Sequence, residues 1–111
     1  MNLTIEEILK AVTGQLLQGA LEHRAQGVST DSRTLKTGEL FIALKGEHFD
    51  GHDFITETVV GKASGLIVGR SCNVQKLVSL RKDIPVIQVS DTLNALGDLA
   101  RTWTKKTGQP L

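Results

Sequence analysis

The sequence predicts an α/β domain, with a mixed or largely parallel sheet and flanking helices, on three observations. Short apolar runs bounded by glycine or proline recur at Leu40 to Leu44, Gly65 to Gly69 and Pro85 to Val89. Each reads as a strand covered on both faces. Segments with helical spacing stand before, between and after these runs. At 111 residues, 40% hydrophobic and 23% charged, the chain matches one domain, residues 1–111, that can bury its own core.

Thr4-Ile5-Glu6-Glu7 is a capping box, and Ile5, Ile8, Leu9 and Val12 recur at helical spacing up to Gly14. They predict a first helix over about residues 5–13, with Gly14 as its stop. Gln15 to Gln18 is a candidate short strand, and Gly19 to Gly27 a polar connector that contains His23. After the central strand, Phe54, Ile55, Thr58 and Val59 share one face of a helix over residues 53–62, with Asp50 and Asp53 near its positive end. Gly61 or Gly65 ends it. The period of Val74 to Leu80 is ambiguous between a short helix and a loose crossover. Ser90 or Asp91 caps a last helix with a Leu93, Leu96, Ala100 and Trp103 stripe, Lys105 and Lys106 at its negative end, and Gly108 and Pro110 as stops.

Composition excludes several function classes. Thirteen basic and twelve acidic residues leave a net charge of +1, which gives no footprint for nucleic acid or an anionic membrane. The doublets Arg81-Lys82 and Lys105-Lys106 read as solvated surface. Cys72 is the only cysteine, so neither an internal disulfide nor a thiolate zinc cluster can form, and it reads as an unreactive loop cysteine. The acidic N-terminus does not read as a secretory signal, and no apolar run approaches the roughly 20 residues of a bilayer span. A soluble cytoplasmic monomer is expected.

The chemistry concentrates in Val28-Ser29-Thr30-Asp31-Ser32-Arg33 and in Gly38 to Asp53. Two polar loops here flank one apolar strand, an arrangement suited to gripping a small polar ligand. Lys45-Gly46 supplies a cation and a residue that permits close backbone approach. Gly51-His52 opens a helix whose free N–H groups can accept an anion, which makes a diphosphate a plausible guest. No Gly-x-x-x-x-Gly-Lys-Ser/Thr loop and no Gly-x-Gly-x-x-Gly fingerprint is present. A surface Asp31–Arg33 ion pair with hydroxyls serving a turn is the plainer alternative. His48 and His52 stand four apart, but the intervening Gly51 argues against a metal pair, and no metal site is expected. A hydrolase using Ser29 or Ser32 lacks the Gly-x-Ser-x-Gly elbow.

At these residues the sequence resembles the N-terminal domain of the Mur ligases of peptidoglycan synthesis. The resemblance runs through Ser29 to Arg33, Gly38 to Gly46, Phe49-Asp50-Gly51-His52-Asp53-Phe54 and Asp91 to Ala100. Within the family, Lys45-Gly46 with Phe49 to Phe54 looks most like the branch that attaches D-alanyl-D-alanine; the branch that adds the third peptide residue is the alternative. The resemblance implies an N-terminal domain holding the UDP end of a UDP-N-acetylmuramoyl-peptide. It also implies central and C-terminal domains outside this chain, with ATP and Mg2+ serving the whole ligase. Thr30, Ser32 and Glu47-His48-Phe49 fall at its uridine-contacting positions. Arg33, Lys45, Gly46, Gly51 and His52 are candidates for the ribose and diphosphate. No catalytic residue and no cofactor is expected in this chain, which alone would be inactive. A docking domain with little UDP affinity of its own is the contrasting reading.

Overall fold

A computed structural model describes residues 2–46 and 49–111. It is a three-layer α/β/α arrangement around a five-stranded sheet. The strands are β2 (Gln15–Gln18), β4 (Val28–Ser29), β5 (Leu40–Ile42), β6 (Gly65–Gly69) and β7 (Val86–Val89), ordered β2-β7-β6-β5-β4. β4 to β7 run parallel and β2 is antiparallel to β7, so the expected mixed, mostly parallel sheet is present. A small antiparallel pair, β1 (Leu3–Thr4) and β3 (Arg24–Ala25), stands apart.

Strand side chains alternate between the faces, and that alternation builds two cores. Leu40, Ile42, Ile67, Ile87 and Val89 face α1 (Ile5–Val12) and α4 (Thr92–Thr107), meeting Ile8, Ala95 and Leu99. Phe41, Ala43, Leu66, Val68 and Val86 face the other way, toward Val59, Val60 and Leu77 of α2 (Glu57–Lys62) and α3 (Val74–Leu80). The continuous apolar runs follow from burial on both faces.

Several boundaries differ from expectation for identifiable reasons. The first helix ends in Thr13, which itself takes the left-handed conformation at φ 53°. Gly14 is needed for space, since a Cβ there would lie 2.6 Å from Ile87 Cγ2. The helix expected over 53–62 is split into a 3-10 turn, Gly51–Phe54, and α2, with Thr56 as a second N-cap whose hydroxyl accepts from the Val59 N–H. Ile55, Val59 and Val60 are its buried residues, while Thr58 is exposed. Lys62 ends it and Gly61 lies inside. In α4 the inward stripe is Thr92, Ala95, Leu99 and Trp103, and Leu93 is 61% exposed. The polar connector contains β3 and opens into β4, both too short to leave a periodic signal.

One residue of each basic doublet has a partner. Arg81 Nη1 donates to the Val60 and Ala63 carbonyls at 3.1 and 3.0 Å, a cation on the carbonyl end of α2. Lys106 Nζ donates to Glu7 Oε2 at 2.6 Å, joining the end of α4 to the start of α1. Glu7 also completes the capping box by accepting from the Thr4 N–H at 3.1 Å. The Lys106 ammonium first, then the Thr4 N–H, hold the Glu7 carboxyl down at about 2, from 4.5. A carboxyl lowered by folding adds stability that is present above pH 4.5 and is lost as the pH falls toward 2. With the side chain 39% exposed, solvent screening reduces the contribution to about 1 kcal/mol. Glu7→Gln is therefore expected to flatten stability against pH across that window; an acid limb unchanged from the parent would refute the assignment.

Candidate functional site

The two polar loops come together because of β4. Val28 and Ser29 pair in parallel with Leu40 and Phe41, so Thr30 to Arg33 leave β4 at the same sheet edge where Leu44 and Lys45 follow β5. Carboxyl ends of parallel strands are where open α/β sheets bind ligands. Had Thr30 to Arg33 led straight into β5, they would stand at its opposite end.

Between these loops lies a cavity of about 480 Å³, within the range of small-molecule sites. Thr30, Asp31, Ser32 and Arg33 line one side, Phe41 and Leu44 the sheet side, and Phe49 and Phe54 the other side. Phe49 and Phe54 are 50% and 45% exposed and stack on each other, with ring centroids 5.6 Å apart and planes 21° from parallel. The Thr30 and Ser32 hydroxyls make no hydrogen bond among the described residues and remain available to a guest.

The other groups on that side are engaged locally. Ser29 Oγ donates to the Asp31 carbonyl at 2.9 Å and accepts from the Asp31 N–H at 3.2 Å, a serine turn that fixes the loop. That engages the Ser29 hydroxyl, one of the two hydrolase candidates, within its own turn. Arg33 forks onto Asp31, Nε and Nη2 at 3.1 and 3.0 Å from its carboxylate oxygens. The guanidinium beside Asp31 holds that carboxyl below its usual range, and Asp31 in turn raises Arg33. The ion pair expected as the plainer alternative thus exists, on the rim of the same cavity.

Lys45 and His52 line a second cavity of about 290 Å³, beyond β5, β6 and β7, with Gly69, Arg70, Ser71, Ser90, Asp91 and Thr92. Of the sequence-expected residues that are described, Thr30, Ser32, Arg33 and Phe49 thus line the first cavity and Lys45 and His52 the second, while Gly46 and Gly51 line neither. Lys45 and Arg70 make no hydrogen bond or ion pair among the described residues, while Asp91 caps α4 by accepting from the Leu93 and Asn94 N–H groups. Arg70 and Phe54 were missed in the sequence. Phe54 was counted on a helix face, and Arg70 gains its position only from the parallel pairing of β6 and β7.

Gly51 and His52 differ most from expectation. The N–H groups expected to be free are used: Gly51 donates to the Leu44 carbonyl at 2.6 Å, His52 to Asp50 Oδ1 at 3.0 Å, and Asp53 to the Asp50 carbonyl at 3.1 Å. His52 is also satisfied at both ring nitrogens, through Asp50 and the Gly69 N–H. Gly46 is open, with nothing within 4 Å of a Cβ built on it. Glu47 and His48 lie outside the described residues. Burial, then the Asp50 carboxylate, push the Cys72 thiol up, which leaves it a poor nucleophile. Among the described residues no three His, Cys, Asp or Glu side chains gather as metal ligands, and no helix is long and apolar enough to cross a membrane.

A family model described as "Mur ligase family, catalytic domain" matches residues 24–104, which span both loops and all four parallel strands. The chain belongs to the Mur ligase family. Mur ligases similar to it include the UDP-N-acetylmuramoyl-tripeptide--D-alanyl-D-alanine ligase of Escherichia coli, 37% identical over 106 residues that make up 96% of this chain and 21% of that protein. Another is the UDP-N-acetylmuramoyl-L-alanyl-D-glutamate--2,6-diaminopimelate ligase of Clostridium perfringens, 31% identical across 89% of this chain and 19% of that protein. A crystal structure of the Mur ligase MurF from Acinetobacter baumannii superposes with a TM-score of 0.75 and 29% identity, covering 96% of this chain and 22% of that one. The chain thus spans about a fifth of the length of the Mur ligases it matches.

Proposed function

We propose that this chain is the N-terminal substrate-recognition domain of a cytoplasmic ligase that joins D-alanyl-D-alanine to UDP-N-acetylmuramoyl-tripeptide. In this reading its cavity between β4 and β5 receives the uridine. The observation that carries it is the pairing of Thr30 and Ser32 hydroxyls, unpartnered among the described residues, with an exposed aromatic face across a nucleoside-sized space. Uracil has a π face and an edge that alternates acceptor, donor, acceptor, and a hydroxyl can answer either kind of group. Because Phe49 and Phe54 already stack on each other, the base lies against their outer face and not between them. Lys45 and Arg70, in the adjoining cavity, are the cations toward which the diphosphate extends.

Ligation itself is not assigned to these residues, although the matched description names a catalytic domain. The ligase branch implies ATP and Mg2+, and this chain does not fit them. It has no Gly-x-x-x-x-Gly-Lys-Ser/Thr loop, and its described carboxylates form no metal cluster. The activation chemistry belongs to the remaining four-fifths of such a protein, with which this domain would work. That ligases adding the third peptide residue also match makes that branch the second reading, with the same uridine role.

Titrating the 111-residue chain with UDP while following backbone amides by NMR tests the proposal. Shifts are expected to cluster at Thr30 to Arg33, Leu44 to Gly46 and Phe49 to Phe54. Phe54→Ala is expected to weaken binding about tenfold, the value of one base–aromatic stack. No clustered shift at millimolar UDP would instead support a docking domain that binds nucleotide only within a longer protein.

A further inference from the structure

Phe49 and Phe54 are too exposed for burial to hold them, so something else must fix the wall they form. Their segment meets β5 through the backbone, with Gly46 donating to the Phe49 carbonyl at 2.7 Å and Gly51 to the Leu44 carbonyl at 2.6 Å. Toward β6 the side-chain hydrogen bond that links it, among the described residues, runs through His52. Its Nε2 accepts from the Gly69 N–H, at the end of β6, at 2.9 Å, and its Nδ1 lies 2.5 Å from Asp50 Oδ1. The same carboxylate oxygen accepts from the His52 backbone N–H. Only 10% of the imidazole is exposed.

These partners determine the tautomer. A nitrogen that accepts from an amide carries no proton, so Nε2 is bare and the proton sits on Nδ1, donated to Asp50. The ring packs directly against Gly69, where a built Cβ would lie in ordinary contact with its Cε1 and Nε2, at 3.6 and 3.7 Å.

We propose that His52 is a positioning residue of the nucleotide site: as the neutral Nδ1–H tautomer it clasps the segment 49–54 to the end of β6 and so presents the Phe49–Phe54 face to the cavity. The role rests on reading that cavity as the uridine site. His52 need not touch the base, because it lines the second cavity and not the one that receives the uridine. Its lever is rigidity. A base that stacks on a fixed ring avoids the entropy of ordering it. The charged and titratable groups around the imidazole are Asp50 on its own turn, Lys45 opposite Asp50 in an antiparallel backbone pairing, Arg70 and Asp91 on the shared cavity wall, and the Cys72 thiol near Asp50.

Long-range 1H–15N spectra of the free chain should show Nδ1 of His52 protonated and Nε2 bare. An Nε2–H tautomer overturns the proposal without any variant. His52→Ala should move the Phe49 and Phe54 ring protons toward unstructured values, leave Leu99 and Ile87 methyl shifts unchanged, and weaken UDP binding about tenfold. His52→Gln, whose side-chain carbonyl can accept from Gly69, should recover most of that loss. Binding by the alanine variant within about twofold of the parent, with the rings undisturbed, also overturns the clasp. Should the parent chain fail to bind UDP, the uridine reading fails, and the tautomer and ring shifts still decide the clasp.

Discussion

Gly51→Ala is expected to lose about 2–3 kcal/mol of stability and, with it, one wall of the candidate site. A Cβ at Gly51 would stand 2.8 Å from Leu44 N and 2.9 Å from Leu44 O. Both atoms are strand-end backbone, which cannot swing aside like a flexible side chain. The turn must therefore lift, stretching or breaking the 2.6 Å bond from the Gly51 N–H to the Leu44 carbonyl. Overpacking costs about 1–3 kcal/mol and a lost hydrogen bond about 1 more. For a domain of this size that lowers the melting temperature by roughly 10 °C. Gly46→Ala is the matched control, because nothing lies within 4 Å of its Cβ position. It should melt with the parent, and if the ligand approaches the Gly46 backbone it should still weaken UDP binding. A Gly51→Ala protein melting within about 2 °C of the parent would mean that the turn is not held against the strand in this way.

The same turn shows where sequence reasoning succeeds and where it stops. The capping box and the Asp91 cap are local signals, and each survives in the structure because the groups that satisfy it lie within four residues. Gly51 also stood out in the sequence, but as a helix start with free N–H groups. Its true partner, Leu44, is reached only when the chain folds back on β5. The site was legible as two polar loops. Their meeting at one sheet edge was not, because β4 is two residues long and looks like part of the loop it precedes. Arg70 and the division into two cavities were hidden for a related reason, since both depend on which strands are neighbours. His52 carried a polar label that suited a ligand contact equally well; only the geometry of Gly69 and Asp50 turns it into a clasp.

Phe41→Ala is expected to cost more than any other single change at the site, about 3–5 kcal/mol, because it empties a buried aromatic position. The ring is 1% exposed, packs in the core under α2 and α3, and meets the cavity from the sheet side. A native domain holds only some 5–15 kcal/mol in all, so the variant should lose a large part of its stability. A urea midpoint shifted far down with an unchanged slope would show it. Phe54 borders the same cavity but is 45% exposed, so Phe54→Ala should cost less than about 1 kcal/mol of folding while losing the stacking face. The two phenylalanines should therefore separate: truncating Phe41 is read mainly in unfolding, truncating Phe54 mainly in UDP affinity. If Phe54→Ala unfolds the domain as readily as Phe41→Ala, the aromatic pair is a structural element, and the cavity loses its argument for a stacked base. If both are well folded and bind UDP like the parent, the uridine lies elsewhere on the sheet edge. Only a stable Phe54→Ala protein with weakened binding is consistent with a rigid sheet that carries an exposed aromatic platform.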